Sequence, residues 1–568
     1  MRTLNKIGLA DHAYRALRAR RRWWALVALS VGVLVVGVDL TVLNVALPTL
    51  AASLHASTSQ LQWFVDSYSL VLAGLLLPAG LLADRYGRKR LLLVALTVFG
   101  AGSAACAYSG SPVALIAVRA VLGGGAAVIV TVSLSILAVL FPTDEERQKA
   151  TAVIMGCTML GYPLGPLLGG WLLNHFWWGS VFLINVPVAA VALVAIAILM
   201  PESASANPPR LDGLGVVLSS LGLVAVTYGV IQAGQDGWSS TRAVAALLIG
   251  AVVLSAFVVW EGRVAHRYRE PLVDLELFRS SRFTWGTALA TMVSFAMFGL
   301  LFAMPQYFQA VMGEDPLGSG IRLLPLIGGL VVGAVLATRL QGARPRNQAA
   351  TATATGATAT AAGATAATAR TTAAMPAMPR VAANIVVAVG FAVMAAGLFL
   401  GATTKIGSGT GWAVFWFAIC GFGLGFSLPA TMNAALGALS PERAGTGSGL
   451  IMACRQVGAT IGVALLGNVL DSEYRDRVNT AHLPALAAQM VRKGVAPGMQ
   501  VARQLGDAAL GRSVRSAFVT SLDVMLWLCG GIAVGAMALA LVFLPRRRST
   551  APSSTSLAGS RLGAGAHD

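Results

Sequence analysis

Charged residues are scarce in this sequence. Asp, Glu, Lys and Arg make up 11% of its 568 residues, whereas soluble proteins carry about 25%. Hydrophobic residues reach 56%, and the mean hydropathy is +0.73. A soluble protein of this length could not enclose so much apolar surface. Since the apolar runs are too long and too even for barrel strands, the composition predicts an all-α membrane protein embedded in a lipid bilayer.

Residues that bind metals or carry out catalysis are also sparse. The five cysteines all lie in apolar stretches and form no CxxC pair, which excludes a disulfide framework and a zinc site. The six histidines show no ligand spacing. No GxxxxGK[ST] segment is present, which argues against ATP as the energy source. We therefore expect no enzyme, no metal and no cofactor.

The basic excess has a topological explanation. The formal net charge is +18 and the pI is near 10.5, values that would indicate nucleic-acid binding in a soluble protein. Here the basic residues lie in short segments between apolar runs, as in membrane proteins. We expect no nucleic-acid partner. The first apolar run is too long for a cleavable signal and predicts a retained span.

Fourteen runs are long enough to span a bilayer, which takes roughly 20 residues in a helix. An even number places both termini on one side. Arginines flank the first and last runs at 20–22 and 546–548, so the positive-inside rule predicts cytoplasmic termini and a multi-pass protein of the cell inner membrane. The predicted spans are 23–48, 61–83, 91–109, 112–140, 149–173, 179–200, 213–233, 243–260, 283–311, 317–338, 381–402, 411–436, 444–468 and 519–543.

The spans group into two sets of six with two spans between them. Residues 347–374 are almost pure Ala, Thr and Gly, which predicts a flexible linker, with a fifteenth span as the alternative. The predicted regions are a cytoplasmic tail 1–22, a first bundle 23–200, a two-helix insertion with a cytoplasmic loop 201–282, a second bundle 283–545 with a cytoplasmic loop 341–380 and a partly helical external loop 470–518, and a cytoplasmic tail 546–568.

The loop after the second span carries closely spaced glycines and charges. It contains Gly80, Asp84, Arg85, Gly87 and Arg88. The glycines permit close approach and a tight turn. The aspartate and arginines can form a charge lock between the helix ends of the two halves, and the alternative is a basic cluster that only sets topology.

The fifth span carries a run of glycines and prolines. Glycines at intervals of four residues leave one flat helix face for close packing, and the prolines predict a kink. The alternative is ordinary small-residue packing. The residues are Gly161, Pro163, Gly165, Pro166, Gly169 and Gly170.

Both segments resemble signature elements of the major facilitator superfamily, and the second resembles its exporter motif. The segment Arg119–Gly125 is similar to a third element, with Leu122 where members often carry Gln. The segments Asp39–Pro48, Gln62–Leu70 and Trp178–Pro187 resemble the fourteen-spanner drug:proton antiporters of that superfamily, especially pumps for antiseptics and viologens.

The resemblance implies the fold and the mechanism. We expect two six-helix bundles with two inserted helices, a functional monomer, and rocking-bundle alternating access with drug out and proton in. Spans nine to thirteen contain no carboxylate, which argues against dicationic substrates and leaves singly charged cations open.

Three ionisable residues lie well inside spans of the first half: Asp39, Asp66 and Arg119. At 1.5 Å per residue they lie ~13, ~9 and ~10 Å from the outer ends of their spans, so they can share one depth. A carboxylate beside an arginine can load and release a proton as access alternates, and the alternative is a static salt bridge. Glu261 and Asp523 lie at span ends, where we expect them to be solvated.

The substrate site should be a cavity between the two halves, lined by apolar and aromatic side chains. The candidates are Tyr68, Phe295, Phe302, Tyr307 and Arg455. For each aromatic residue, the alternative is that its ring only packs against neighbouring helices or faces lipid.

Together these patterns predict proton-coupled efflux of small amphipathic or apolar drugs or antibiotics, cationic ones included, across the cytoplasmic membrane. An exporter of an endogenous metabolite or a lipid is the first alternative. A membrane sensor that does not transport is a more remote one, because the sequence offers no output domain.

Overall fold

The computed structural model of the chain describes residues 2–141, 143–204, 212–268, 273, 275–341, 382–437, 439 and 444–544. Over this range the chain is almost entirely helical and forms no β-strand, which confirms the predicted all-α fold. The Ala/Thr/Gly linker 347–374 and the tail 546–568 lie outside the described residues.

Eighteen α-helices follow one another along the described chain. A 3₁₀ turn at Leu275–Arg279 precedes the eleventh, which continues into a π-helical turn at Tyr307–Val311. The helices are α1 Arg2–Ser53, α2 Thr58–Tyr86, α3 Arg88–Ala107, α4 Pro112–Ser135, α5 Leu137–Leu140, α6 Asp144–His175, α7 Ser180–Leu183, α8 Asn185–Leu199, α9 Gly213–Asp236, α10 Thr241–Tyr268, α11 Ser281–Gln306, α12 Pro316–Leu340, α13 Ala383–Gly401, α14 Thr410–Leu436, α15 Ala444–Arg477, α16 Ala485–Arg492, α17 Val495–Gln504 and α18 Ala508–Phe543.

Each predicted span coincides with helical residues, but the count of fourteen stays a prediction. Among the described residues, twelve helices are long and apolar enough to cross a bilayer, and α2, which bends by 57° between Leu76 and Pro78, makes thirteen. The helix α6 has the length but is not among these. Its first turns are rich in charged residues.

Local sequence explains where several helices begin. Ser57 and Gln60 form a capping box at α2, where each side chain accepts from the other residue's backbone N–H. Asp315 accepts from the Gly318 N–H at the start of α12, and Pro316 occupies the first helical position. Asp507 accepts from two N–H groups of α18 at 2.9 Å each, and these bonds hold the pKa of Asp507 below its ordinary value.

The helices form two bundles with the same internal pairing. In the first bundle α1 packs on α6, α2 on α4 and α3 on α8. In the second bundle α11 packs on α15, α12 on α14 and α13 on α18. The bundles meet along two seams, α2 with α15 and α6 with α12. This repetition is the six-plus-six arrangement that the sequence predicts.

The inserted pair, α9 and α10, packs together and docks on the α2–α15 seam through α9. The side-chain amide of Asn468 on α15 donates to the Val230 carbonyl of α9 at 2.9 Å. On the other side of the seam, the rings of Trp63 and Tyr228 lie 6.4 Å apart. The outer face of α10 is exposed, as expected for a helix that contacts lipid.

The two ends of the bundle pair differ. We call the end where α1 finishes and α2 starts the Thr58 end, and the opposite end, where α2 passes into α3, the Asp84 end. The charge pattern predicts that these ends are external and cytoplasmic.

The bundles are hydrogen-bonded to each other at the Thr58 end. The backbone N–H and hydroxyl of Thr58 each donate to the Lys493 carbonyl at 3.1 Å. The Gln62 amide donates to the Ala464 carbonyl at 3.2 Å. These bonds close the α2–α15 seam.

The α6–α12 seam is closed at the same end by glycines. A Cβ added to Gly170 of α6 would lie 2.6 Å from the Leu317 Cα of α12. A Cβ added to Gly320 of α12 would lie 2.9 Å from the Pro166 carbonyl carbon of α6. Real Cβ atoms do not approach that closely, so the seam requires glycine at both positions.

Asn174 on α6 also donates a hydrogen bond to Asp315 at the start of α12. This bond and that from the Gly318 N–H hold the pKa of Asp315 below its ordinary value, so Asp315 stays ionised at neutral pH.

At the Asp84 end, two polar contacts join elements of one bundle each. Arg22 pairs with Glu146 at 2.5 Å inside the first bundle. Ser281 donates to the Phe543 carbonyl at 3.5 Å inside the second. In this conformation the halves are therefore tied together at the Thr58 end.

Candidate functional site

A buried ion pair lies inside the first bundle. Arg119 Nη1 of α4 donates to Asp39 Oδ2 of α1 at 2.7 Å, and the side chains are 2% and 0% exposed. The other oxygen, Asp39 Oδ1, accepts from Asn185 Nδ2 of α8 at 3.0 Å. Arg119 Nε donates to the Phe64 carbonyl at 3.1 Å, and the guanidinium lies 4.2 Å from the centroid of the Tyr68 ring.

These partners explain how the pair tolerates burial. Two charges removed from water are stable only when their remaining hydrogen-bonding groups are also satisfied. Both Asp39 oxygens accept a hydrogen bond. Besides the Asp39 carboxylate, Arg119 contacts the Phe64 carbonyl and the face of the Tyr68 ring. The structure thus brings together Asp39 and Arg119, which the depth estimate placed at one level.

Asn185 is a site residue that sequence reasoning did not identify. Besides Asp39, its amide donates to the Ser103 hydroxyl of α3 at 3.3 Å, so it fixes the carboxylate relative to α3 and α8. An amide side chain in an otherwise apolar span is the signal that could have identified it.

Asp66 is not part of this cluster. It is 0% exposed, and within the described part of the chain neither of its oxygens has a hydrogen-bond partner. Phe64 and Tyr68 lie on the α2 face toward α4. At ~100° per residue, Asp66, two residues from each of them, points about 160° away from both. Asp66 therefore lies on the side of α2 that carries Gln62, toward the seam with α15.

Of the two carboxylates expected at solvated span ends, Glu261 is buried and Asp523 is partly exposed. Glu261 is 0% exposed and accepts from the Val273 backbone N–H at 3.1 Å. Asp523 lies well inside α18, because that helix begins at Ala508 rather than at residue 519. The buried oxygen Asp523 Oδ1 has no hydrogen-bond partner among the described residues.

The loop between α2 and α3 folds onto the first bundle. Arg88 donates through Nε and Nη2 to Asp84 Oδ1 at 3.1 and 2.8 Å. Gly87 adopts φ +100, which favours glycine, and a Cβ there would lie 2.6 Å from Glu202 Oε1. Glu202 in turn accepts from the Lys89 backbone N–H at 3.1 Å, at the positive end of α3.

The remaining residues of this loop occupy distinct positions. The Gly80 Cα faces Thr131 of α4, and Arg85 is exposed with its guanidinium 5.9 Å from the centroid of the Tyr86 ring. The described contacts all stay inside the first bundle. The start of α15, where the second half would meet this loop, has no described side chains before Gly447, so the charge lock between halves stays a prediction.

The glycine face of α6 packs against α1. Cβ atoms added to Gly161, Gly165 and Gly169 would lie 2.7, 2.9 and 2.8 Å from α1 atoms. The helix α6 continues through Pro163 and Pro166 as one element. Gly170 faces the other bundle instead, so the predicted motif joins α6 both to its own bundle and to α12.

The aromatic cavity candidates are enclosed in this conformation. Tyr68, Phe302 and Tyr307 are at most 1% exposed and Phe295 is 9% exposed, so packing, the alternative interpretation, describes their present state. Arg455 on α15 is only partly buried. Among the described residues, no group of three or more His, Cys, Asp or Glu side chains is placed to hold a metal ion.

Comparisons with known proteins give a consistent result. The sequence profile of the family described as "Major Facilitator Superfamily" matches residues 29–463. The chain is 31% identical to the tetracenomycin C resistance and export protein of Streptomyces glaucescens over 94% of both chains. It is 32% identical to the multidrug efflux pump LfrA of Mycolicibacterium smegmatis over 81% of this chain and 83% of that protein.

A third relative is the methyl viologen resistance protein SmvA of Salmonella typhimurium, 30% identical over 90% of this chain and 96% of that protein. In structure, the chain resembles a bacterial homologue of the human lysosomal transporter Spinster with a TM-score of 0.61, over 92% of this chain and 98% of that one. Since the two are 17% identical, this likeness concerns the fold.

Proposed function

Because this chain belongs to the major facilitator superfamily, we propose that it exports small amphipathic or apolar drugs or antibiotics across the cytoplasmic membrane in exchange for protons. Relatives named as resistance, export and efflux proteins support the export of drugs. Proton exchange and the chemistry of the substrate are the parts of the proposal that need experiment.

The observation that carries the proton-coupled mechanism is the pair of Asp39 and Arg119. A carboxylate with no exposure and an arginine partner at 2.7 Å costs free energy to place in a span, so such residues usually serve a function. Protonation of Asp39 removes the charge that Arg119 faces and frees α1 to shift relative to α4. A proton taken up there is thereby coupled to the arrangement of the helices.

The arrangement of the two bundles supports alternating access. The halves are tied together at the Thr58 end by Thr58, Gln62 and the glycine seam, while the Arg22–Glu146 and Ser281–Phe543 contacts at the Asp84 end each lie within one half. Rocking about the bundle interface would open one end and close the other. Asp66 lies on the α15 side of α2, where such rocking would change its surroundings, and we propose it as a second proton site.

The proposal is tested with purified protein in liposomes that carry an imposed pH gradient. We expect at least one of ethidium, methyl viologen and tetracenomycin C to accumulate more than about tenfold against its gradient, and nigericin, which collapses the pH gradient, to abolish this. If none of the three accumulates in a gradient-dependent manner, the proposed exchange is wrong.

Export of an endogenous metabolite is a second candidate, supported by the relative that exports tetracenomycin C and matches over 94% of both chains. The same liposomes separate the two. Transport of tetracenomycin C without transport of ethidium or methyl viologen favours a dedicated exporter, and transport of all three favours a multidrug pump.

Replacing Asp84 by Asn should lower the rate of transport by about tenfold or more and leave the amount of folded protein unchanged. The change removes the charge that Arg88 faces at the Asp84 end, where the loop would close against the second bundle, and it leaves the helices intact. The measurement is initial export from whole cells, normalised to membrane protein. Asp236→Asn, at an exposed carboxylate on α9, is the control. Wild-type rates in Asp84→Asn would remove the lock from the mechanism.

A further inference from the structure

Arg119 and Arg455 lie well inside their spans, and their partners differ. Arg119 faces a carboxylate, as described. Arg455 on α15 has only neutral partners: its Nε donates to the Ser294 hydroxyl of α11 at 3.1 Å, and its Nη1 lies 3.6 Å from Met452 Sδ. Within the described part of the chain, no carboxylate lies within ion-pair distance of Arg455.

Arg455 lies on a face of α15 that also carries two glycines. Gly458 and Gly462, about one and two turns further along α15, pack against the backbone of Thr291 and Phe295 on α11, so this face of α15 borders α11, which also supplies Ser294. Tyr162 of α6 brings a phenol of the opposite bundle into the electrostatic environment of Arg455.

The carboxylates of the spans do not neutralise this charge. Asp39 is bound to Arg119, and Asp66 and Asp523 make no ion pair with Arg455 among the described residues. A guanidinium keeps its charge at any physiological pH, and its five N–H donors form a planar fork. Only two of its nitrogens have the neutral contacts described above, so part of the fork has no partner among the residues that the structure describes.

We propose that Arg455, with Ser294, binds an acidic oxygen group of the exported compound, either a carboxylate or an ionised phenol. A planar, delocalised anion matches the fork in shape and charge. The bound anion supplies the negative charge that the protein does not place there. This inference rests on the proposed function and narrows its substrate class to amphipathic aromatic acids.

The test compares anthraquinone-2-carboxylate with its uncharged methyl ester. Binding to the purified full-length protein in detergent is followed by tryptophan fluorescence. We expect wild-type protein to bind the acid at least tenfold more tightly than the ester. Since a hydrogen bond to a charged group is worth about 10- to 150-fold in affinity, Arg455→Gln should weaken binding of the acid by about that factor and change binding of the ester less than threefold.

Two further variants keep the result interpretable. Arg455→Lys keeps the charge but loses the fork, and we expect it to lose less affinity for the acid than Arg455→Gln does. Arg512→Gln, at an exposed arginine early in α18, should bind both compounds like wild type. Equal losses for acid and ester, or no preference of the wild-type protein for the acid, would overturn the subsite.

The binding readout uses no gradient, so it is independent of the proton-coupled function. Tight binding of the acid without uphill transport in liposomes would count against the exchange with protons and leave the subsite standing. Uphill transport combined with equal binding of acid and ester would support the exchange with protons and overturn the subsite.

Discussion

Replacing Asp39 by Asn should abolish uphill export while exchange of substrate across the membrane continues. Asparagine keeps the shape and can still accept a hydrogen bond from Arg119, but it cannot take up a proton. Coupling then fails although the substrate site between the bundles is untouched. We expect accumulation driven by a pH gradient to fall by more than about 100-fold in liposomes, and counterflow of labelled substrate without a gradient to stay within about threefold of wild type.

Folding must be checked in this variant, because Arg119 is left without its charge partner. Breaking a buried ion pair by removing one member costs about 3–5 kcal/mol, so a lower melting temperature is expected. Asp476→Asn, at an exposed carboxylate, serves as the matched control. If folded Asp39→Asn protein still accumulates substrate against its gradient, the proton is carried elsewhere, and Asp66→Asn becomes the next variant to measure.

Replacing Gly320 by Val should prevent closure of the Thr58 end. Even one added carbon would lie 2.9 Å from the Pro166 carbonyl carbon, and backbone on both helices leaves little room to adjust. The seam between α6 and α12 cannot form in that state, so the cycle should stop, with transport reduced by at least about tenfold. The measurement is export, together with labelling of a cysteine introduced at Ser319 of α12, which is 0% exposed in the closed state.

A membrane-impermeant maleimide should label that cysteine faster in Gly320→Val than in the parent. The five native cysteines are buried or partly buried, which keeps the background low. Gly328→Val is the control, because it lies on the same helix and a Cβ there meets no atom within 4 Å. Normal transport by Gly320→Val would show that the glycine contact is dispensable for closure.

The helices and the depth of buried charges are readable from sequence because both depend on local geometry. A long apolar run in lipid must satisfy its backbone internally, so it becomes a helix. Distance along a helix follows from the rise per residue, and the estimated depths of Asp39 and Arg119 agree with their contact.

The direction in which a side chain points from its helix axis is harder to predict. This explains why the sequence allowed Asp66 to join Asp39 and Arg119 whereas the structure places it elsewhere. Where a span is apolar on all sides, the sequence does not show which face meets which neighbour. Depth suggested that Asp66 could join Asp39 and Arg119, whereas the packing of Tyr68 and Phe64 toward α4 turns it toward α15. The partners of Asn185 escaped prediction for the same reason, since they come from α1 and α3.

How far the helices extend beyond their apolar runs could not be predicted from the sequence either. Polar residues after the apolar run at α15 predicted a partly helical loop over 470–518 without the bounds of its helices, and in the structure α15 continues to Arg477 and α18 starts at Ala508. These extensions move Asp523 from an expected helix end into a helix interior.

The position of α9 bears on how an oily compound could reach the central space from the surrounding lipid. A carrier of two halves has two side openings, one along each seam, through which a molecule dissolved in one leaflet can slip in without passing through water. Here α9 lies across the α2–α15 seam, bound to α15 through Asn468 and packed on α2 beside Trp63. We therefore expect lateral passage from the bilayer to use the α6–α12 side, where the glycines that set the approach of the halves would also set the width of that opening.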